Sequence, residues 1–497
     1  MPGMKALLSQ LTIGNSVAEF DDALDRYFIE TEAFRGLAGD KADIIAGDKG
    51  TGKTALYKVF AKRYTGVPSL KQVEVVPGFN PVGNPVFQRL AQVEALSEGQ
   101  YITVWKSYFL SLAGNWLLQL YGADVGTETS KLDTLLQRAG LRSQDDSAET
   151  VFSKIISLLS RFAKPKSVQM GFTFSEAGIP VVTPKVEFGA GEQGQEKQEI
   201  AHEEGFTVLN RALDEVDLTV WLALDRLDEA FQGFPNVETP ALRALFRTYL
   251  DLLAYPRVRL KLFVRNDVFR KVVQGGFVNL THINARKMVI VWEEDDLLNL
   301  FARRVRDSSE FLQVTELTRK SDREIFDRIF PDQVVPGGGR PKTWNWMMSR
   351  IRDGNGIKPP RNLIDLIVEA RQAQLRSEDR SPREQSPELP IIEGDAIRRA
   401  QRALSERRVQ DTLFAEASDL APTIEKFRDG KAEHSVKSLS ELLGLPEQSV
   451  RAAIKPLLEI GFLEEVGSSF KVPMLYRDGL NITQGKAFGS GETEEEE

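Results

Sequence analysis

Cysteine is absent from this chain of 497 residues, which excludes disulfide bonds, thiolate metal sites and cysteine nucleophiles. Histidine is scarce: the three present, His202, His282 and His434, are too few to favour a metal site built from several imidazoles. No apolar run approaches the roughly 20 residues of a membrane span, and the first residues lack a basic segment followed by an apolar one. We therefore expect no membrane partner and a cytoplasmic location.

Positive charge is not in excess either. The chain has 64 lysines and arginines against 72 aspartates and glutamates, which gives a formal net charge of −8 and a pI near 5.4. A nucleic acid would therefore have to bind at a local patch. What the chain does have is 41% apolar residues and a length that corresponds to about three domains. These values predict a soluble, multidomain globular protein.

A glycine-rich segment is the strongest local signal. GDKGTGKT matches the pattern G-x-x-x-x-G-K-[ST] and stands between an apolar, strand-like stretch and a helix-forming one. Glycines let successive backbone N–H groups turn towards phosphate oxygens, and the helix N-terminus adds its partial positive charge. We expect Lys53 to reach the β- and γ-phosphates and Thr54 to offer its hydroxyl to Mg²⁺. The predicted phosphate site comprises Gly47, Asp48, Lys49, Gly50, Thr51, Gly52, Lys53 and Thr54.

A second signal is a group of carboxylates after the apolar stretch TVWLAL. Asp225 follows that stretch directly, and Asp228 and Glu229 come three and four residues later. A carboxylate at the end of a buried strand beside a phosphate loop can hold Mg²⁺, so Asp225 is the predicted metal ligand together with Thr54. A further carboxylate can polarise the attacking water, a role that we assign to Glu229 or to Asp228. The alternative interpretation is a solvated acidic turn.

With these motifs, the sequence resembles P-loop ATPases of the AAA+ and STAND groups. It is similar to NACHT-type and origin-recognition-type ATPases, and to a little-characterised bacterial P-loop ATPase family. The residues Asp225, Leu227, Asp228 and Glu229, which follow an apolar stretch, match the STAND pattern. Arg226 departs from that pattern, in which a small residue is usual.

The resemblance implies two arginines that sense the γ-phosphate. Arg265 ends the strand-like segment KLFVR, where these families carry a sensor, and Arg361 lies in PPRNLIDLIVEA, where AAA+ proteins carry a second one. The resemblance also implies ATP as the nucleotide. The string that comes nearest to a guanine-reading motif, at 130–133, precedes Asp225, whereas such a motif should follow the magnesium aspartate. For both arginines, an ordinary surface role is the alternative.

The order of the segments predicts an α/β fold. We expect a P-loop NTPase parallel sheet with an inserted helical and hairpin segment, an α-helical lid and a C-terminal winged-helix domain. Residues 16–34 are expected to form one amphipathic helix, and 165–189 a hairpin. The predicted boundaries are a P-loop ATPase domain at 1–290 with an insertion at about 66–205, a lid at 291–375, a linker at 376–392, a helix with a winged helix at 393–482, and a disordered acidic tail at 483–497.

The winged helix leaves two functions open. Its second helix could enter a DNA groove, but residues 423–480 hold eight basic and nine acidic side chains, and that helix offers only Arg451 and Lys455 as cations. In STAND proteins, such a domain instead packs on the nucleotide domain as a switch. The arginine-rich helix at 395–414 is expected to form a solvated face, and His434 to be a core residue rather than a phosphate sensor.

We therefore predict a Mg²⁺-dependent ATPase in which ATP binds between sheet and lid. Its function would be a nucleotide-controlled switch for homo-oligomerisation or recruitment of an effector protein, for instance in bacterial defence. The alternative is a DNA-acting AAA+-like ATPase, a loader or remodeller, with an arginine finger for which Arg243, Arg247 and Arg270 are candidates. A nucleotide-binding scaffold without hydrolysis is disfavoured by Asp228 and Glu229.

Overall fold

The protein is described from a computed structural model. The structure describes residues 3–78, 96–142, 170–174, 180–184, 202–227, 235–274 and 276–487. The chain divides into two compact units. The sheet unit comprises Glu30–Gly47 and Lys53–Ile290, and the helical unit comprises Met1–Ile29, Asp48–Gly52 and Val291–Glu497. The ends of the predicted phosphate loop thus belong to the sheet unit, and its five middle residues group with the helical unit.

Strands and helices are numbered in chain order over the described residues. The strands are β1, Ile44–Gly47; β2, Val73–Pro77; β3, Met170–Phe174; β4, Pro180–Pro184; β5, Thr219–Leu224; β6, Val258–Arg265; β7, Lys287–Val289; β8, Lys431–His434; β9, Glu464–Val466; β10, Ser469–Lys471; and β11, Thr483–Ala487. The helices of the sheet unit are α3, Glu32–Ala38; α4, Lys53–Arg63; α5, Glu98–Tyr121; α6, Thr127–Ala139; α7, His202–Glu215; α8, Pro235–Leu252; α9, Asn266–Val273; and α10, Leu280–Ala285. Those of the helical unit are α1, Met4–Gln10; α2, Leu24–Tyr27; α11, Glu294–Arg306; α12, Ser309–Val314; α13, Asp322–Ile329; α14, Thr343–Ile351; α15, Pro360–Arg380; α16, Gly394–Arg408; α17, Ala421–Glu425; α18, Val436–Leu443; α19, Glu447–Glu459; and α20, Met474–Arg477.

A five-stranded parallel sheet forms the centre of the sheet unit. Its spatial order is β2-β5-β6-β1-β7, and each neighbouring pair is parallel. The central strands β1 and β5 are almost wholly apolar because both faces of the sheet are covered, as parallel sheets require, whereas β6 also carries Arg259, Lys261 and Arg265. Alternate side chains point to opposite faces. The predicted α/β class with a parallel sheet is confirmed.

Aromatic packing covers one face of this sheet. On α4, Tyr57 meets Phe263 of β6 edge-on at 5.4 Å between ring centroids, and Phe60 stacks on Trp221 of β5 at 5.9 Å. Phe34 of α3 packs edge-on against Phe60 at 6.3 Å. The opposite face, which includes Ile44 and the alternate leucines of β5 and β6, forms one buried core with α5, α6, α7 and α8. The sheet is therefore held rigidly between two helical layers.

The predicted insertion at about 66–205 contains helices and a hairpin, but its predicted start is too early, because β2, Val73–Pro77, lies within it and pairs with β5 in the central sheet. A capping box at Ser97 and Gln100 begins α5, and Gly140 ends α6 in the left-handed conformation that favours glycine. β3 and β4 pair antiparallel, with Met170 opposite Pro184, where the alternating sequence predicted a hairpin. Residues 143–169, whose apolar spacing at 148–162 predicts a helix, and the glycine-rich stretch that precedes α7 lie outside the described residues.

The helical unit has one continuous apolar core, which includes side chains from α1, from the helices α11 to α16 and from the C-terminal module. That module runs β8, α18, α19, β9, β10, α20 and β11, with the sheet order β11-β8-β10-β9. A strand followed by two helices and an antiparallel strand pair is the arrangement of the predicted winged helix. Over the part of the chain that the structure describes, no helix combines the length and hydropathy needed to cross a bilayer.

The predicted single helix at 16–34 is wrong. A 3₁₀ turn at Ala18–Phe20 and α2 replace its first part, and α3 begins only after Thr31, whose hydroxyl caps it. Hydrogen bonds to the buried Arg304 of α11 stabilise this broken conformation. Its guanidinium donates to the carbonyl oxygen of Ile13 at 2.6 Å and to a carboxylate oxygen of Asp21 at 3.1 Å.

Two further segments differ from the sequence prediction. The last turn of α15, up to Arg380, covers the first residues of the predicted linker, because the buried Glu378 is held there by Gln374 and Arg383. Thr483–Ala487, assigned from sequence to a disordered tail, form β11, which pairs in parallel with β8. Backbone pairing orders this polar stretch, whose side chains give no strand signal. The acidic residues beyond it lie outside the described residues.

Candidate nucleotide-binding site

The glycine-rich loop follows a buried central strand, as its sequence predicted. β1 lies between β6 and β7, ends at Gly47, and is fully buried. Gly50 and Gly52 adopt φ values of +76° and +98°, which side-chain-bearing residues rarely take. A Cβ at Gly50 would also lie 3.1 Å from the Cβ of Arg361 and 3.2 Å from that of Pro359. These two positions therefore require glycine, and the loop has the backbone freedom to curl around a phosphate.

The loop lysine is held by the loop itself. Lys53 begins α4 and donates from Nζ to the carbonyl oxygen of Gly47 at 2.9 Å. The middle of the loop is closed by Thr51, whose hydroxyl donates to the carbonyl oxygen of Asp48 at 2.7 Å. The indole N–H of Trp292 donates to the carbonyl oxygen of Thr51 at 2.8 Å. Thr54 lies in the first turn of α4 and is half-buried.

The predicted metal aspartate lies where the sequence placed it. Asp225 directly follows β5 and is 1% exposed. β5 is separated from β1 by β6 alone, and all three strands run parallel, so the phosphate loop, Arg265 and Asp225 follow the same edge of the sheet. A buried carboxylate and a threonine hydroxyl are oxygen donors of the kind that Mg²⁺ accepts beside phosphate groups. The donor set therefore fits this cation.

Two catalytic candidates cannot be placed. Asp228 and Glu229, predicted to act on the attacking water, lie outside the described residues. Arg226, which departs from the STAND pattern, has φ +55°, in the left-handed region that a side chain makes unfavourable. This conformation gives a physical reason why a small residue would suit the position after the metal aspartate.

Arg265 ends β6 directly opposite Gly47 in the strand register. It forms a two-pronged ion pair with Asp267, with Nε–Oδ1 at 3.0 Å and Nη2–Oδ2 at 2.9 Å. Burial by itself would raise the pKa of Asp267, but the charge and hydrogen bonds of Arg265 outweigh it and lower that pKa. Arg265, the predicted first sensor, thus ends the strand next to β1, which leads into the phosphate loop, and it forms an ion pair with Asp267.

Arg361 lies at the start of α15, beside the middle of the loop. Its backbone N–H donates to the carbonyl oxygen of Gly50 at 3.4 Å. Among the described residues, its buried Nε has no hydrogen-bond partner. One turn on, Asp365 pairs with the buried Arg408 of α16. Burial lowers the pKa of Arg408, and the nearby positive charge of Arg361 lowers it further.

Sequence reasoning missed most partners of these residues. Arg398, Arg399 and Arg402 of α16 are exposed, as expected of a solvated face, but Arg407 and Arg408 pair with Glu369 and Asp365 on α15. Lys49 pairs with Glu416, although 367 residues separate them. The interactions are long-range, and only the charge complementarity of the segments could have hinted at them.

Asp353 is a further residue that the sequence did not single out. It lies in the turn between α14 and α15, where its Oδ1 accepts the backbone N–H groups of Asn355 and Ile357 at 2.9 Å. Burial, followed by smaller effects that include the negative charge of Asp48, raises its pKa to about 6. The turn contacts the C-terminal module, because Gly354 N–H donates to the carbonyl oxygen of Gly461 at 2.7 Å.

The predicted DNA-facing helix has its cations paired within the chain. On α19, Arg451 pairs with Glu465 of β9 at 2.9 Å, and Lys455 lies 4.0 Å from Glu459. His434 is buried in β8, with Nε2 at 2.9 Å from the carbonyl oxygen of Lys431, and burial lowers its pKa. It is a core residue of the module, as expected.

Two of the three arginine-finger candidates are engaged in the fold. Arg243 donates to three carbonyl oxygens at and after the end of α9, those of Val272, Gln274 and Gly276. Arg247 pairs with Glu98 at the start of α5. Arg270, in the last turn of α9, is exposed. Over the described part of the chain, no group of three or more histidine, aspartate or glutamate side chains could hold a metal ion by itself.

Comparison with known proteins gives little. No family model and no curated protein matches the chain. Two solved structures resemble it over nearly their whole lengths. The Aeropyrum pernix ORC1 protein in complex with DNA is 14% identical, with a TM-score of 0.33, 94% of this chain and 96% of that one covered. The Aeropyrum pernix ORC2 protein (ADPNP-ADP complexes) is 12% identical, with a TM-score of 0.39 and coverages of 91% and 93%. Scores this low carry no argument about function.

Proposed function

We propose that this chain binds and hydrolyses Mg²⁺-ATP at the glycine-rich loop, as an AAA+/STAND-like ATPase. The observation that carries the proposal is the loop after β1, with Arg265 and Asp225 at the ends of the next two strands of the same sheet. Those positions put a cation and a carboxylate along the edge where the loop can receive phosphates. Parallel sheets bind ligands at this edge of their strands.

Each residue has a proposed task. The backbone N–H groups of residues 48–52 would donate to phosphate oxygens. Lys53 would give up its hydrogen bond to the carbonyl oxygen of Gly47 and donate to phosphate oxygens instead. Thr54 and Asp225 would hold Mg²⁺, which supplies positive charge to the β- and γ-phosphates when bound. Arg265 and Arg361 would stabilise charge on the γ-phosphate, and Glu229, or else Asp228, would orient the attacking water.

As its function, we propose a nucleotide-controlled switch that governs homo-oligomerisation or recruitment of an effector protein. The loop's middle residues contact α15 and the segment after α16, so a change at the loop can reach helices that precede the C-terminal module. Bacterial defence is one setting in which such a switch would work. The proposed location is the cytoplasm.

A DNA-acting loader or remodeller remains the second candidate, because the C-terminal module has winged-helix topology. The near neutrality of residues 423–480, with eight basic and nine acidic side chains, disfavours it, since phosphate contacts need an excess of cations. A motor would also need a trans-acting arginine, for which Arg270 is the exposed candidate.

One experiment separates the candidates. ATP hydrolysis by the purified full chain is measured with and without duplex and single-stranded DNA, and the oligomeric mass is measured with ATP and with ADP. Slow ATP hydrolysis whose rate does not change with DNA, together with an oligomeric mass that depends on ATP, supports the switch. Strong stimulation by either DNA supports the loader instead.

The site itself is tested by Lys53→Ala. Loss of a charged hydrogen-bond donor to phosphate should weaken ATP affinity by about 100-fold. Lys58→Ala, an exposed lysine on the same helix, is the matched control. If Lys53→Ala bound ATP as tightly as wild type, the glycine-rich loop would not be the phosphate-binding site.

A further inference from the structure

An ion pair joins the phosphate loop to the segment that precedes the winged helix. Lys49, the third residue of the loop, pairs with Glu416, and its Nζ lies 3.5 Å from the carbonyl oxygen of Asp411. The two side chains are 28% and 29% exposed, so water screens the pair only partly. A residue of the nucleotide loop is therefore held by a segment more than 360 residues away.

The segment that receives Lys49 has an unusual backbone. We call residues 409–420 the connector, since they join α16 to α17 and the C-terminal module. The connector opens with a π-helical turn, Val409–Phe414, a conformation that is rare and often found at functional sites. Its hydrogen bonds differ from those of the α-helix that precedes it, so it can shift without unwinding α16.

The connector is held at both ends. Immediately before it, the buried Arg408 pairs with Asp365 of α15, the helix that begins beside Gly50 of the loop. Towards its other end, Glu416 pairs with Lys49. The first contact is buried and fixed, whereas the second is half-shielded and involves a residue that belongs to the phosphate loop. Only the second can respond directly to a ligand in the loop.

Charge determines that response. A nucleoside triphosphate brings several negative charges to the loop, which attract the Lys49 ammonium and repel the Glu416 carboxylate. Triphosphate binding and the ion pair therefore compete for the same lysine. By linkage, the free energy with which the Lys49–Glu416 pair holds the connector is subtracted from the free energy of triphosphate binding.

We propose that the Lys49–Glu416 ion pair is an autoinhibitory latch. Closed, it holds the connector, and through it the start of the winged-helix module, against the loop. A bound triphosphate opens it and frees the connector. This inference rests on the proposed function, because it assumes that the loop binds ATP.

The test uses Glu416→Gln in the full chain, with Glu425→Gln as the matched control. The control removes the same charge nine residues later, from an exposed pair with Arg428. ATP affinity is measured by equilibrium binding at low and high salt. Glu416→Gln should bind ATP about 3- to 5-fold more tightly than wild type at low salt, and the gain should shrink at high salt, which screens the pair. Glu425→Gln should bind as wild type does.

A second readout follows the connector. Without nucleotide, chymotrypsin should cleave Glu416→Gln after Phe414 or Leu420, inside the connector, as fast as it cleaves the ATP-bound wild type. In a Lys49→Gln background, adding Glu416→Gln should change neither affinity nor cleavage, since the pair is already absent. This background keeps the test valid if one variant alone is unstable.

Two outcomes would overturn the latch. Equal ATP affinity and cleavage in wild type, Glu416→Gln and Glu425→Gln would show that the pair restrains nothing. Weaker ATP binding by Glu416→Gln would show that Glu416 organises the loop for nucleotide rather than opposing it. A wild-type chain that binds no ATP would instead remove the proposed function.

Discussion

The two ends of the parallel sheet hold their charged residues in different ways. At the start of β1, Lys261 and Asp43 are each 1% exposed and lie 2.7 Å apart, and Arg286 pairs with the other oxygen of Asp43. Tyr249 donates its hydroxyl to Asp43 at 3.0 Å, and the Lys261 ammonium lies 3.8 Å from the centre of the Trp221 ring. Lys261 and Asp43 thus meet several opposite or aromatic groups in a dry environment, and Arg286, which is 30% exposed, lies between them and water.

The other end is built for exchange. Lys53 holds a neutral carbonyl oxygen, and Arg265 is 25% exposed and holds a carboxylate that is itself partly exposed. A neutral acceptor or a solvated carboxylate is easily replaced by a phosphate, whereas a buried opposite charge is not. The comparison indicates that charges with saturated, buried partners hold this sheet together, and that Lys53 and Arg265 each have a partner that a phosphate could replace.

The largest effect is expected from a substitution at the saturated end, at the start of β1. Lys261→Met removes a buried ammonium and leaves Asp43 with Arg286 as its cation, so the free energy of unfolding should fall by about 3 kcal/mol. ATP affinity should stay that of wild type, as measured by equilibrium binding at a temperature where the variant is folded. A large loss of affinity with little loss of stability would contradict the division between the two ends.

A smaller effect is expected at the exchangeable end. Arg265→Gln should slow ATP hydrolysis by about 10- to 100-fold, because charge on the γ-phosphate loses a partner, with a weaker effect on ATP affinity. Single-turnover kinetics and equilibrium binding separate the two quantities. Asp267→Asn, which keeps the arginine but removes its resting partner, is the control. A fall in stability like that of Lys261→Met would place Arg265 among the structural charges.

Acid should weaken the saturated end. Burial tends to raise the pKa of Asp43, but hydrogen bonds and charges from Arg286 and Lys261 prevail and lower it. Its stabilising contribution is complete above the pKa of the unfolded chain, about 3.9, and is lost as the pH falls through the lower pKa of the folded state. Urea unfolding between pH 6 and pH 3 should therefore show a decline that Asp43→Asn reduces. Identical declines would contradict this role.

The smallest expected effect concerns the backbone beside the metal aspartate. Because Arg226 has φ +55°, Arg226→Gly should be more stable than Arg226→Ala by about 1 kcal/mol, as measured by thermal unfolding. Both variants lose the same side-chain interactions, so their difference reports the strain at φ +55° less the extra conformational freedom that glycine has in the unfolded chain. Equal stabilities would show that the position after β5 relaxes without cost.

Local signals made much of the fold and site predictable. The phosphate loop, the end of β5 and the position of Arg265 follow from short patterns whose meaning depends on neighbours in sequence, and the hairpin followed from alternation. The strand order could not be read in this way, since it depends on which strands pair. The helix expected at 16–34 failed because Asp21 turns to Arg304, 283 residues away. Lys261 gave no signal because lysine in a strand usually faces solvent.

The N-terminal segment has a consequence for synthesis. α1 packs against α15, and Arg371 of α15 donates to the carbonyl oxygen of Leu8 at 2.9 Å, across 363 residues. At the roughly 5 to 20 residues per second of translation, the buried face of α1, with Met4, Leu7 and Leu8, must wait about 20 to 70 s for its partner. Most of the sheet unit lies between α1 and α15 in the sequence and can complete its own fold during that time, so α1 is made before the sheet unit but packs after it.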